Sequence, residues 1–261
     1  MKLIVLNENN AGGHYLAEHG LSYLVEINGK KVLFDTGHSD VFLKNARNME
    51  ICLEKEVKTV VLSHGHWDHG NGLNYLTDTT LITHPASFTK RFRKRNHTPL
   101  GLNLSKANLE EKFSVITTQT PYLIAPGLTF LGEIPRNNDF EAQTTTFIDE
   151  NGNDDFVPDD SALVAEVKDN KIVIITGCSH SGICNICEYA KMVTGKSAIK
   201  AVIGGFHLKE NNLQTIKTIH YFEKNKAEQL LPSHCTELPA LAEFYRHFKI
   251  GTVKTGDIYH F

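Results

Sequence analysis

The sequence predicts an α/β fold, and three observations support this prediction. The dipeptide Asn28-Gly29 lies between two short apolar stretches and is a strong signal of a β-hairpin. The apolar stretch at 58–64 does not alternate with polar residues, which is typical of a strand buried on both faces. In both halves of the chain, strands are followed by stretches with the apolar spacing of amphipathic helices. The 261 residues can therefore form one large α/β unit with a mixed or parallel sheet.

The first half of the chain begins with β-structure. Strands are predicted at 2–7, 21–27, 30–37, 58–64, 80–85 and 128–136. A helix is predicted at 39–49, with Ser39 as its capping residue. Residues 86–112 include a strongly basic stretch without clear periodicity, and we interpret them as an insertion within a single domain that spans residues 1–261.

The second half repeats this order of elements, although the sequence identity between the halves is weak. It begins with a hairpin, and strands and helices follow. The predicted strands are 161–167, 171–177, 199–205 and 229–234, and the helices lie at about 183–193, 213–222 and 237–248. The two halves therefore suggest an internal pseudo-repeat.

Composition and charge exclude several classes of protein. The formal charge is −3 and the pI is about 6.5, so nothing in the overall charge favours nucleic acid or an anionic membrane as a partner. The apolar stretch at the N-terminus is too short for a secretory signal, and no later stretch could span a bilayer. The five cysteines are an odd number without the density of a disulfide scaffold, which favours a reducing cytoplasm. The oligomeric state is not predicted.

Histidines follow the apolar strands with unusual regularity. They end or closely follow five predicted strands: His64, His84, His180, His207 and His234. The carboxyl ends of neighbouring parallel strands open at one edge of a sheet, where ligands bind. We therefore expect these imidazoles to form a common site, although any one of them could be a bystander.

The densest group of coordinating side chains is the stretch His64-x-His66-x-Asp68-His69. Imidazole and carboxylate are borderline ligands suited to zinc, iron or manganese. His64 and His66 can bind one ion from an extended segment. Asp68 and His69 lie where the chain turns into a helix, so they can bind a second ion. The sequence therefore predicts a site for one or two divalent metal ions, and zinc is the metal that we expect.

These motifs resemble the metallo-β-lactamase superfamily. The stretch SHGHWDHG (63–70) matches its His-x-His-x-Asp-His signature, and LFDTG (33–37) matches its earlier strand-end motif. Further motifs, GEIPR, ITGCSHSGI, GGFHL and PSHCTE, are similar to one branch. That branch contains the dihydropterin–ribofuranosylaminobenzene phosphate synthases of methanopterin biosynthesis and many metal-dependent hydrolases. The resemblance implies a four-layer αβ/βα sandwich with a metal centre between the edges of two sheets.

The resemblance also implies which residues bind the metals. His64 and His66 would bind the first ion, Asp68 and His69 the second, and His234 would complete the second site. Many members supply a bridging aspartate where this chain has Cys178, which makes single-metal occupancy plausible. His180 is our choice for the third ligand of the first ion. Cys178 is the alternative, and Asp159 or Asp160 occupies a further position where many members have a histidine.

Other residues are candidates for catalysis or binding. Asp35 is expected to orient a ligand imidazole. We count Asp68 among the catalytic residues as well, and we interpret His207 as a substrate contact or proton donor. Arg136 could bind a phosphate or carboxylate, or form a surface ion pair. For His19, a structural role and a role in the site are equally open.

Two other motifs have simpler explanations. The basic residues between Lys90 and Arg95 are expected to form a solvated face, with an anion-capturing lid as the alternative. Cys184 and Cys187 are spaced i and i+3 on an apolar helix without a second pair, so core packing is favoured over a zinc or redox site.

Three functions are compatible with these residues. The first is a metal-dependent hydrolase that uses metal-activated water on a small anionic substrate such as a phosphoester, lactone or thioester. The second is a transferase like the synthases of the same branch, in which a diphosphate would leave as an arylamine substrate attacks a pterin methylene. The third is a metal-bearing sensor or binding protein without catalysis.

Overall fold

The computed structural model describes residues 1–261, and most of its strands belong to two large sheets. The strands are β1 (Lys2–Asn7), β2 (Ser22–Ile27), β3 (Lys30–Phe34), β4 (Thr59–Val61), β5 (Thr79–Thr83), β6 (Arg91–Arg93), β7 (Phe113–Thr117), β8 (Tyr122–Ala125), β9 (Leu128–Phe130), β10 (Phe147–Asp149), β11 (Ala162–Val167), β12 (Lys171–Thr176), β13 (Ala198–Gly205), β14 (Gln229–Ser233) and β15 (Ile258–His260). The helices are α1 (Val41–Asn48), α2 (Leu53–Glu56), α3 (Trp67–Gly70), α4 (Lys106–Glu110), α5 (Ile183–Thr194), α6 (Leu213–Asn225) and α7 (Leu238–Phe248). Short 3-10 turns lie at Asn71–Tyr75, Pro85–Phe88 and Lys168–Asn170.

The first sheet has seven strands in the order β15-β1-β2-β3-β4-β5-β7. Pairing is antiparallel from β15 to β3 and parallel from β3 to β7. The second sheet has six strands in the order β14-β13-β12-β11-β9-β8, with β12, β13 and β14 parallel. Parallel strands in each sheet therefore place their carboxyl ends at one edge, as the sequence predicted.

Three apolar clusters give the molecule its layers. One cluster lies between the sheets and includes Val25 and Phe34 from the first sheet and Phe130 and Ile175 from the second. Another packs α1 against the outer face of the first sheet, and the third packs α5, α6 and α7 against the outer face of the second. The order of layers is therefore helix, sheet, sheet, helix. The predicted αβ/βα sandwich is confirmed.

The sequence of β1 shows why the strands fit between two layers. Leu3 and Val5 belong to the cluster between the sheets, whereas Ile4 and Leu6 belong to the cluster under α1. Successive side chains of a strand point to opposite faces, so an unbroken apolar strand has both faces buried. At about 25 cal/mol per Å² of apolar surface, burial on both faces is the main favourable contribution to folding.

The predicted start of the helix at 39–49 was wrong in detail. Helix α1 begins at Val41, and the residue that precedes it is Asp40 rather than Ser39. The hydroxyl of Ser39 donates to Glu18 Oε2 at 2.6 Å and accepts a long 3.3 Å bond from the Val41 N–H. The side chain of Ser39 is therefore used chiefly to fix the segment that contains Glu18.

The basic stretch within 86–112 forms part of the folded structure. Strand β6 pairs with β10 in a separate two-stranded sheet. Arg91 is only 1% exposed, so the expectation of a solvated face was wrong for this residue. No helix in the structure has both the length and the apolar composition needed to cross a membrane.

Candidate metal centre

The site is built where β4, β12, β13 and β14 end. His64 and His66 lie in the loop after β4, and Asp68 and His69 lie in α3 directly after it. Ser179, His207 and His234 have φ angles of 61°, 49° and 51°. Left-handed backbone is uncommon for residues other than glycine, and it tends to cluster at functional sites. These strand ends therefore turn sharply where the coordinating side chains are found.

Three histidines form the first half of the site. His64 Nε2 lies 3.0 Å from His66 Nδ1. The ring centre of His180 is 4.9 Å from that of His64 and 4.9 Å from that of His66. His180 Nε2 is buried and has no hydrogen-bond partner. The structure thus brings together the three residues that the sequence predicts for the first metal.

The second half contains Asp68, His69 and His234. His69 Nε2 lies 3.0 Å from His234 Nε2, and Asp68 Oδ2 lies 3.5 Å from the same His234 nitrogen. The ring centres of His64 and His69 are 4.3 Å apart, so the two halves are contiguous. The six residues predicted as metal ligands are therefore contiguous. Four of them, His64, His69, His180 and His234, belong to groups of donors whose ligand atoms lie within 4.8 Å of one another, and His66 and Asp68 belong to no such group.

The Nδ1 atoms of three histidine rings are held by neighbouring groups. His69 Nδ1 donates to Asp35 Oδ2 at 2.7 Å, and His64 Nδ1 lies 2.9 Å from the hydroxyl of Ser63. His234 Nδ1 lies 3.1 Å from Asn9 Oδ1. Such contacts fix the orientation of an imidazole and direct its other nitrogen toward a metal. Asp35 thus has the orienting contact that the sequence predicts.

The protonation states of the histidines at the site favour metal binding. Burial lowers the pKa of His66 to about 3 and places the pKa values of His64 and His180 well below the usual range. Burial opposes the charge of His69 as well, but the carboxylates of Asp35 and Asp68 raise its pKa to about 9. Neutral imidazoles have a free lone pair, and a metal displaces the proton of a charged one. Most of the imidazoles are therefore ready to coordinate at neutral pH.

These residues fit a divalent transition metal. Nitrogen, carboxylate and thiol donors are the ligands that zinc and iron(II) prefer. One group of candidate ligand atoms comes from His64, Cys178 and His180, and a second comes from His69, Cys178 and His234, with the atoms of each group within 4.8 Å of one another. The unpartnered His180 Nε2 is explained if a metal ion accepts its lone pair.

The remaining strand-end histidines differ in their placement. The His207 ring centre is 4.3 Å from that of His180, and His207 Nδ1 is buried without a partner. His84 was expected at the site, but it belongs to none of the groups of candidate ligands: its Nδ1 accepts the Ala86 N–H at 3.1 Å, and its Nε2 lies 3.5 Å from Glu133 Oε2. His19 joins the site because its Nε2 lies 3.1 Å from Asp68 Oδ2.

Arg136 does not line the cavity at His180 and His207. Its Nη2 donates to the carbonyl oxygens of Phe156 at 2.6 Å and Val157 at 3.2 Å. These bonds hold the loop before β11, so the guanidinium is engaged with backbone. Its assignment to substrate binding remains a prediction.

The two aspartates before β11 accept hydrogen bonds from the loops that carry the predicted ligands, and Asp160 Oδ1 is buried without a partner. Asp159 Oδ2 accepts a 2.9 Å bond from Arg91 Nη1 and a 2.7 Å bond from the Gly65 N–H, so the carboxylate braces the loop between His64 and His66. Burial opposes its ionisation, but Arg91 lowers the pKa of Asp159 below its usual value. Asp160 Oδ2 accepts the Ser181 N–H at 2.9 Å. Neither aspartate belongs to the groups of candidate ligands.

One polar residue at the site was not considered from the sequence. Cys235 follows His234 directly, and its thiol donates to the carbonyl oxygen of Cys178 at 3.4 Å. It forms a further group of closely spaced donors with Cys178 and His207. The sequence signal was the adjacency of Cys235 to a strand-end histidine.

A cavity of about 420 Å³ opens beside the cluster, lined by His180 and His207. Its wall combines aromatic side chains, Phe140, Phe147 and Phe156, with hydroxyl and amide groups. The ammonium group of Lys209 is the one cationic group in its lining. The cavity is large enough for a small substrate, and His180 is the predicted ligand that it reaches.

An αβ/βα sandwich with a histidine cluster at its sheet edges defines a class of metal-binding α/β proteins. The sequence model of the Metallo-beta-lactamase superfamily matches residues 16–193, and the chain belongs to this superfamily. The family resemblance found in the sequence is confirmed.

Two proteins of Methanocaldococcus jannaschii are similar to nearly the whole chain. An uncharacterised protein is 35% identical over 249 residues, covering 92% of this chain and 92% of its own. The 7,8-dihydropterin-6-methyl-4-(beta-D-ribofuranosyl)-aminobenzene-5'-phosphate synthase is 30% identical over 271 residues, covering 95% and 92%. A solved structure described as a metal-dependent hydrolase of the beta-lactamase superfamily superposes with a TM-score of 0.88 at 30% identity, covering 100% of this chain and 99% of the other.

Proposed function

We propose that this chain is a metal-dependent hydrolase of a small anionic substrate, such as a phosphoester, a lactone or a thioester. The observation that supports it is the placement of the histidine cluster at the wall of the cavity that His180 and His207 line. We also propose zinc as the metal, with iron or manganese as alternatives, and the cytoplasm as the compartment, since the five cysteines are free.

Bound divalent ions would lower the pKa of water to give a nucleophile at neutral pH and would polarise the electrophile. His64, His66 and His180 would hold the first ion, and Asp68, His69 and His234 the second. The structure fixes several of these side chains through Asp35, Ser63 and Asn9. Little rearrangement of the protein is then needed during the reaction, which is how a preorganised site lowers a barrier.

We propose that two side chains, His207 and Asp68, move protons in the reaction. His207 lines the cavity and has a buried, unpartnered Nδ1, so it can donate a proton to a leaving group. Asp68 lies between His19 at 3.1 Å and His234 at 3.5 Å. Burial opposes its charge, but His69, His19 and His234 hold the pKa of Asp68 well below its usual value. Asp68 therefore stays ionised and can accept a hydrogen bond from the attacking water.

Binding of an anionic group would depend on the wall of the cavity. Lys209 supplies a positive charge at this wall beside the carboxylate of Glu210, and the hydroxyl groups of Thr144, Thr145 and Thr146 supply hydrogen-bond donors. A carboxylate or phosphate can be held there while its reacting bond lies near His207. The similarity to a solved metal-dependent hydrolase at 30% identity supports the same class of reaction.

The experiment is a hydrolysis assay on protein loaded with zinc, iron(II) or manganese. The substrates are one aryl phosphomonoester, one phosphodiester, one acyl homoserine lactone and one acyl thioester. The proposal predicts turnover with one class, its loss on chelation, and a fall of about 10²–10⁴-fold in kcat for His207→Asn with bound metal unchanged. Tight retention of a ligand without turnover in fully loaded protein would instead indicate a binding protein.

A second candidate is a transferase, favoured by the 30% identity to the aminobenzene phosphate synthase. The three phenylalanines around the cavity, Phe140, Phe147 and Phe156, suit a flat aromatic or pterin ring. The test measures diphosphate release from a dihydropterin diphosphate with and without an aminobenzene acceptor. Product that forms only with the acceptor would replace the hydrolase proposal with the transferase.

A further inference from the structure

Cys178 occupies the middle of the metal centre. It follows β12, it is 4% exposed, and its sulfur is the one ligand atom that belongs to all three groups of closely spaced donors, the third of which contains His207 and Cys235. The first group contains His64 and His180, and the second contains His69 and His234. A donor with this position lies between the two places where ions would bind.

The distances around Cys178 are close to those in a coordination sphere. In a tetrahedral zinc site with usual bond lengths, neighbouring nitrogens are separated by about 3.3 Å, and a nitrogen and a sulfur by about 3.6 Å. His69 Nε2 lies 3.0 Å from His234 Nε2 and 3.2 Å from Cys178 Sγ. A small outward movement of these three side chains would therefore complete three corners of a tetrahedron.

The orientation of His69 supports this interpretation. Its Nδ1 is held by Asp35 at 2.7 Å, so its Nε2 is directed at the sulfur and at His234. In a purely structural role, Cys178 would pack among apolar side chains, as Cys184 and Cys187 do in the cluster under α5. Cys178 belongs to none of the apolar clusters, and its sulfur lies among imidazoles and the thiol of Cys235.

We propose that the Cys178 thiolate is a metal ligand shared by the two ion positions, so that the centre holds two ions bridged by sulfur. This proposal rests on the metal centre of the proposed function but does not depend on the reaction or substrate. The thiol gives up its proton to solvent when the ions bind, and one sulfur–metal bond forms to each ion.

A shared thiolate would also select the metal. Thiolate ligands favour zinc, iron(II) and cobalt(II), whereas manganese and magnesium prefer oxygen ligands. We therefore expect the wild-type protein to bind zinc in strong preference to manganese. Exchange of the sulfur for a carboxylate should move that preference toward manganese while keeping two positions occupied.

The test loads the full chain with cobalt(II) and records the sulfur-to-cobalt charge-transfer absorption in the near ultraviolet, with metal content measured on the same samples. The wild-type protein should bind about two ions per chain and show the band, because a thiolate is coordinated. Cys178→Ser should lose the band and at least one ion per chain. Cys178→Asp should lose the band, keep about two ions, and bind manganese at least about 10-fold better relative to zinc.

Cys235→Ser is the matched control, since it removes a second thiol beside the same cluster. The band and the two ions should remain in this variant. Absence of the band in fully loaded wild-type protein, or its survival in Cys178→Ser and loss in Cys235→Ser, would overturn the proposal. Should Cys178→Ser fail to fold, X-ray absorption on the wild-type zinc protein decides, because a sulfur neighbour at about 2.3 Å is required. If the fully loaded wild-type protein shows the band but hydrolyses none of the substrates, the proposed function is refuted and the proposal about Cys178 is not.

Discussion

The buried ion pair of Arg91 gives the sharpest prediction about stability. Its guanidinium donates to Asp155 Oδ2 at 2.6 Å, to Asp159 Oδ2 at 2.9 Å and to the Ala86 carbonyl oxygen at 3.2 Å. The perturbation is Arg91→Met, which keeps much of the side-chain volume and removes the charge and every donor. Both carboxylates then remain buried without their cation.

The magnitude follows from the cost of an uncompensated buried charge. Removing one partner of a buried ion pair costs about 3–5 kcal/mol, and two carboxylates depend on Arg91, so we expect about 4–5 kcal/mol. For a chain of this size, that loss lowers the melting temperature by about 8–20 °C. Because domains are stable by about 5–15 kcal/mol, the variant should still fold at low temperature.

The effect should extend to the metal centre. Asp159 Oδ2 also accepts the Gly65 N–H at 2.7 Å, between His64 and His66. When Arg91 is lost, Asp159 is no longer fixed, and the loop with the two ligands becomes less ordered. A disturbed supporting contact typically costs about 10–100-fold in metal affinity.

The assay compares urea and thermal unfolding of metal-free wild-type protein, Arg91→Met and Arg95→Met, and then the zinc affinity of each. Arg95 lies two residues after β6 and is exposed, so its substitution should change stability by no more than about 0.5 kcal/mol. A loss below about 1 kcal/mol for Arg91→Met, or unchanged zinc affinity, would refute the reasoning about the brace.

Three further predictions concern the metal ligands, the start of α5 and acid stability. His66→Ala should lower bound metal and abolish turnover while the circular dichroism spectrum stays native; retained turnover with depleted metal would contradict the assignment. Glu141 accepts the N–H groups of Cys184 and Asn185 in the first turn of α5 at 2.9 Å and 3.0 Å, so Glu141→Ala should cost about 1–3 kcal/mol in thermal unfolding, unlike substitution of the exposed Asp139 by alanine. An equal effect of the two substitutions would exclude a capping role. Because the folded pKa of Asp159 is below 3.8, its contribution to stability is full above pH 3.8 and is lost as the pH falls toward the folded value. The loss of stability caused by Arg91→Met should therefore be smaller below pH 3.8 than at pH 7, because a protonated Asp159 no longer needs the guanidinium, and an equal loss at both pH values would argue against it.

The sequence predicts much of the site because its ligands are tied to strands. His64, His180, His207 and His234 follow strands whose apolar pattern is readable, and the carboxyl ends of parallel strands meet at a sheet edge. The fold follows from the same strands, since apolar residues on both faces require a layer on each side. Both predictions use only the apolar pattern of each strand and the general rule that parallel strands end at the same sheet edge.

What the sequence could not predict depends on contacts between distant segments. Arg91 lies in a basic stretch, and only its pairing with Asp155 and Asp159 shows that it is buried. His84 also ends a strand, but its two ring nitrogens face the N–H of Ala86 and the carboxylate of Glu133. A side chain's partner across the fold decides its role in both cases, and no spacing along the chain encodes that partner.

The central claim is that side chains from distant strand ends bind metal ions at one place, and anomalous scattering from a crystal of zinc-loaded protein tests it most directly. The account predicts two anomalous peaks beside Cys178. One peak should lie among His64, His66 and His180, and the other among Asp68, His69 and His234. Full zinc occupancy with peaks elsewhere, and none among these residues, would contradict the account.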